Sequence, residues 1–71
     1  MKLNFENANF SVANLKGVDF SGANLKGVDF SGADLSDANL SGADLSGAVL
    51  SNAVLKHTNF SGAVLNGVVL T

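Results

Sequence analysis

His57 is the only side chain of this 71-residue chain that ordinarily titrates close to neutrality. As a general base it would need a carboxylate to orient the ring and a hydroxyl to give up a proton. Asp37, Ser36 and Ser61 are the residues whose types fit those roles. A second chemistry is suggested by Asn4, Asn9, Asn14, Asp19, Asn24, Asp29, Asp34, Asn39, Asp44 and Asn59, which recur at intervals of five or a multiple of five. Such oxygens serve as ligands for hard cations or as an ordered negative face. A third is base stacking on Phe5, Phe10, Phe20, Phe30 and Phe60. Each depends on how the chain positions these groups.

The positioning element is a strict repeat. Every fifth residue from Phe5 to Leu70 is Leu or Phe, fourteen in all. Two residues before this centre stands a small residue, mostly Ala (Ala23, Ala33, Ala43). Just before it stands Asn or Asp in ten of the fourteen units. Ser usually follows the centre, and Gly most often fills the fifth position. A helix cannot use this pattern, because five steps rotate a side chain by roughly 500° and scatter the centres around the cylinder. A flat strand fails too, since residues an odd number apart face opposite sides. Within one unit, however, the small residue and the centre are two apart and share a face. A corner in every unit resolves the conflict, and a Gly such as Gly42 permits the backbone angles a corner needs. The chain is therefore predicted to be a solenoid, with Leu, Phe and Ala inside and polar residues outside.

Four units per coil would stack residues twenty apart at about 4.8 Å. The columns before the centres then read Asn4-Asn24-Asp44-Val64, Asn9-Asp29-Val49-Val69, Asn14-Asp34-Val54 and Asp19-Asn39-Asn59. No Asp meets another Asp. Three units per coil would set Asp34 on Asp19 and Asp44 on Asp29, and like charges placed opposite each other destabilise a sheet. Four sides fit better.

The unit Ala-[Asp/Asn]-[Leu/Phe]-x-x, as in Ala23-Asn24-Leu25-Lys26-Gly27 and Ala33-Asp34-Leu35-Ser36-Asp37, resembles the signature of the pentapeptide-repeat proteins. The resemblance covers essentially the whole chain. It implies an all-β fold, a right-handed quadrilateral β-helix, here of about three and a half coils across a single domain, residues 1–71. It also implies a bacterial, and particularly a cyanobacterial, setting. Most members have no assigned biochemical role, while some mimic duplex DNA and bind gyrase or a related topoisomerase. Val49, Val54, Val64 and Val69 depart from the pattern, standing where the other units carry Asn or Asp.

In this register His57 stacks on Asp37 at a corner, and Lys26 on Glu6. Both are expected to be surface pairs of small energetic worth. A convex wall offers no pocket for catalysis, so no enzymatic activity is expected. The Asn and Asp side chains are expected to bond to nearby backbone and not to converge on a metal. The Phe residues are expected inside, with Phe30 over Phe10 and Leu40 between Phe20 and Phe60. No cofactor is expected. A net charge of −2, with four Lys against six acids, argues against nucleic acid as a ligand. The N-terminus enters the repeat at once, without a signal-like segment, and no apolar run is long enough to span a membrane. A cytoplasmic location is the corresponding expectation.

The outward Val residues resist a purely structural account. Val49, Val54, Val64 and Val69 cluster near the C-terminus, where Leu70 also lies. Apolar patches of this kind mark contact surfaces. The sequence therefore points to a structural or protein-binding module, expected to form a homodimer through residues 49–71, end to end about a two-fold axis.

Overall fold

The computed structural model describes residues 2–71, and there the chain winds as a continuous coil. Parallel bridges join residues twenty apart, from Asn4 with Asn24 to Val49 with Val69. Four five-residue units thus complete each turn, as the Asp columns required. The bridges stay isolated because a corner interrupts the extended backbone in every unit.

Three backbone hydrogen bonds per unit tie one coil to the next. In the first of these units Phe5 N–H donates to the Asn24 carbonyl, Asn7 N–H to Lys26 and Asn24 N–H to Leu3, each at 2.8 Å. A fourth closes the corner, Ala8 N–H donating to the Phe5 carbonyl at 2.8 Å. Every corner from Asn7 to Gly67 places its second residue at a left-handed φ between 61° and 72°. Glycine suits this conformation because it has no Cβ to clash. At Gly42 a Cβ would meet the Gly22 backbone in the coil below only at an ordinary contact distance of 3.9 Å, so the left-handed φ and not lack of room is what favours glycine there.

The core is the set of inward columns. Leu25, Phe30, Leu35, Leu40 and Leu45 have no exposed surface, and Ala23, Ala33 and Ala43 close the space between them. Within each unit a small inward residue is followed two positions later by a large one, which lets opposite walls approach and interlock. Phe10 and Phe30 stack with centroids 5.7 Å apart and planes 14° from parallel. Phe5 meets Phe20 edge to face at 5.3 Å. These rings are core contacts within the chain, which answers the base-stacking question. Burial weakens toward both ends, where Phe5, Phe10, Leu55 and Phe60 are only partly covered.

Candidate contact surface on the C-terminal coil

All ten Asn and Asp residues that precede a centre make the same local bond. Each Oδ1 accepts the backbone N–H two residues on, from Asn4 with Glu6 at 3.0 Å to Asn59 with Ser61 at 2.9 Å. The side chain thereby anchors the backbone as it enters the corner. Where Ser follows, its hydroxyl can add a second donor: Ser36 Oγ to Asp34 and Ser46 Oγ to Asp44, both at 2.6 Å. Hydrogen bonds to the ionised form favour it. The Ser21, Ser31, Ser36 and Ser46 hydroxyls, and then the backbone N–H groups of the same residues, hold Asp19, Asp29, Asp34 and Asp44 below the usual carboxylate range. These carboxylates are occupied with their own turns. Among the described residues, no group of three or more His, Cys, Asp and Glu is placed to hold a metal ion.

Against that uniformity the four Val residues stand out. A Val at this position cannot accept the turn bond, and among the described residues Ser51, Lys56, Asn66 and Thr71 have no acceptor for their N–H groups. Val54, Val64 and Val69 are 48%, 41% and 41% exposed, with Leu65 exposed to a similar degree and Leu70 more open still beside them. Val49 differs from expectation: it is half-buried, held between Asp29 below and Val69 above on one wall. The surface is therefore centred on that wall and wraps onto the two neighbouring walls through Val54 and Val64.

At the same end the inward columns open into an apolar concavity of about 250 Å³, lined by Leu50, Leu55, Phe60, Leu65, Val68 and Leu70. All six lining side chains are apolar, so it suits an apolar occupant and they offer no group for proton transfer.

The two expected surface pairs are not formed. His57 and Asp37 do share a corner column, since Asp37 N–H donates to the Lys56 carbonyl at 2.9 Å. Yet no hydrogen bond or ion pair joins their side chains among the described residues. Both sit at φ near +61°, which turns each side chain out from its corner into solvent. Lys26 pairs not with Glu6 but with Asp44 of the next coil, at 3.8 Å. Glu6 instead accepts from the Asn24 amide at 3.4 Å. The long Lys side chain reaches up to a carboxylate in the following coil, a choice that residue columns alone do not reveal.

Two further residues matter. Val12 occupies a left-handed corner at φ +62° and is 80% exposed, a β-branched residue where Gly predominates. Its departure from the corner pattern was readable from the repeat. Thr58 replaces the inward Ala, and its hydroxyl donates to the Leu35 carbonyl at 2.7 Å, which satisfies it in place. No helix of the described residues is long and apolar enough to cross a membrane.

Comparison with known proteins agrees with this architecture. The pentapeptide-repeat family model matches residues 3–32 and 33–71 as eight copies, and the chain belongs to that family. It is similar to a pentapeptide repeat protein from the Arabidopsis thaliana thylakoid lumen, at 33% identity and a TM-score of 0.87 over 96% of this chain and 48% of that one. It is also similar to a pentapeptide repeat protein from Nostoc PCC 7120, at 38% identity and a TM-score of 0.65, covering 97% and 65% of the two chains. A third, Rfr23 from Cyanothece 51142, shares 30% identity with a TM-score of 0.51, over 96% of this chain and 44% of that one. The chain thus spans about half the length of the Arabidopsis protein. No curated protein matches the sequence.

Proposed function

We propose that this chain is a non-enzymatic binding module, a right-handed β-helix of about three and a half coils that associates with a second copy through residues 49–71. Val49, Val54, Val64, Val69 and Leu70 form the contact surface. The observation that carries the reading is the replacement of Asn or Asp by Val at just these positions. In each unit the change forgoes a turn bond worth about 0.5–1.5 kcal/mol, and it exposes an apolar side chain. Four such changes beside an apolar concavity are accounted for if the surface is covered in the functional state.

A bacterial cytoplasmic setting belongs to this reading. The Nostoc and Cyanothece relatives support a cyanobacterial source, and the lumenal Arabidopsis protein names the competing compartment. The alternative of a DNA-mimicking gyrase-binding protein has no support in the surface charge. Four of the acids are Asp residues committed to their own turns, and the net charge is only −2.

Sedimentation equilibrium tests the reading on wild type and on Val49→Asn, Val64→Asn and Val69→Asn combined. Wild type is expected to self-associate, and the triple variant to shift strongly toward monomer while gaining thermal stability. A wild-type chain that stays monomeric at high micromolar concentration overturns it.

A further inference from the structure

Val49, Val54 and Val64 are bridged to Asp29, Asp34 and Asp44 of the coil below. In each case the corner N–H two residues on, from Ser51, Lys56 or Asn66, has no acceptor among the described residues. The corresponding N–H groups of Ser31, Ser36 and Ser46 bond a side-chain oxygen of their own unit and not the backbone of a neighbouring coil. These donors belong to the side walls, and stacking of coils does not satisfy them. Beneath each open donor lies a carboxylate. The hydrogen bonds of Asp29, Asp34 and Asp44 within their own turns fall on Oδ1, which leaves Oδ2 to accept from above. Asp44 Oδ2 also faces Lys26 at 3.8 Å. Each wall site is thus an N–H donor above an acidic acceptor, beside an apolar side chain.

The chain contains a filled example of the same site. Asn24 Oδ1 accepts Lys26 N–H at 3.1 Å, and its Nδ2 donates to Asn4 Oδ1 in the coil below at 3.3 Å. A carboxamide carries an acceptor and a donor on neighbouring atoms and so satisfies both groups. A carboxylate would accept from the N–H but set like charge on the Asp, and a Lys or Arg could pair with the Asp but cannot accept. The open sites therefore select a neutral carboxamide. We infer that a second copy fills them with Asn52 and Asn66. This rests on the self-association proposed above and names the contacts that make it specific. Residues 49–71 contain no acid and three Asn. Asn59 is spent on Ser61 N–H at 2.9 Å. Asn52 and Asn66 are exposed at corners, and their side chains make no hydrogen bond among the described residues. An apolar covering alone would bury the three N–H groups without acceptors, which folded proteins avoid. Open sites and carboxamides lie on one surface, so a two-fold contact exchanges them reciprocally.

Hydrogen exchange on wild type reads the three donors directly. The Ser51, Lys56 and Asn66 amides should exchange fast in dilute protein, and about tenfold slower once roughly nine-tenths of the chains are associated. Sedimentation equilibrium on Asn52→Asp should show weakened association, because the new carboxylate meets an Asp of the partner. Asn7→Asp is the control. Asn7 holds the same left-handed corner, at φ 62° against 61°, and the change adds the same charge on the first coil. Association should survive it. Equal weakening by the two changes would reduce the effect to net charge and overturn the assignment. Association that leaves the three amides unprotected would also overturn it, while self-association stands. A wild type that stays monomeric removes both. Asp tolerates the left-handed region, so both variants should keep the fold, which circular dichroism verifies. The exchange measurement needs no variant.

Discussion

Ser36 donates twice to one oxygen of Asp34, its hydroxyl at 2.6 Å and its backbone N–H at 3.0 Å. The same pairing recurs between Ser46 and Asp44. Both bonds favour the ionised carboxylate, so the folded state holds these protons less tightly than the unfolded chain does. A group of depressed pKa contributes its stability fully above the unfolded value, about 3.9 for Asp, and loses it as pH falls through the lower folded value. Thermal stability should therefore be flat from neutrality down to about pH 5 and should drop only below about pH 4. Asp34→Asn, which keeps an oxygen acceptor but cannot titrate, should make that drop shallower. Melts recorded across the acid range check both points, and an unchanged acid profile for Asp34→Asn would count against the mechanism.

Leu40 sits fully buried in the column between Phe20 and Phe60, whereas Leu65 is 45% exposed at the open edge. Leu40→Ala should cost about 2–5 kcal/mol through lost burial and a cavity that rigid coils cannot close. In a domain of this size that lowers the melting temperature by at least about 8 °C. Leu65→Ala should cost well under half as much in the monomer. Equal losses at the two sites would show that the column order is wrong.

Much of this was readable from the repeat. The fourteen centres from Phe5 to Leu70 define the inward columns, and the spacing of Asp19, Asp29, Asp34 and Asp44 selects four sides over three. The turn bonds of the ten Asn and Asp residues follow from their place beside each corner. What the repeat did not disclose are the contacts of long or diverging side chains. Lys26 chose Asp44 because its flexible stem spans to the next coil, and His57 missed Asp37 because a left-handed corner points both outward.

Val12 offers a clear gain in stability. It holds φ at +62° with a β-branched side chain that is almost wholly exposed. The left-handed region costs an ordinary residue about 1–2 kcal/mol, and burial returns little of that here. Asn tolerates this conformation and already occupies it at Asn7 and Asn52. Val12→Asn should therefore raise stability by about 1 kcal/mol, or roughly 4–8 °C in melting temperature. Val12→Gly should gain less, because Gly also loosens the unfolded chain. A fall in stability for Val12→Asn would mean that Val12 packs productively at its corner.

Val54 separates the turn bond from the charge columns. Replacing it with Asn should restore an acceptor for Lys56 N–H, as Asn24 provides for Lys26 at 3.1 Å. The new amide also lies directly over Asp34, to which Val54 is bridged. An Asn amide can donate down its column, as Asn24 does to Asn4 at 3.3 Å. Val54→Asn should therefore stabilise the monomer by about 0.5–1.5 kcal/mol and slow hydrogen exchange at the Lys56 amide. Val is the better strand former, but its advantage is small on an exposed face. Val54→Asp supplies the same turn acceptor and sets a second carboxylate on Asp34. Like charges across a bridge repel, so at neutral pH the Asp variant should gain clearly less than the Asn variant. The difference should shrink as salt is raised, since both groups lie near solvent. Chemical denaturation of the two variants in low and high salt measures it. If Asn and Asp stabilise equally at low salt, Val54 does not stand over Asp34 and the twenty-residue register fails at this wall.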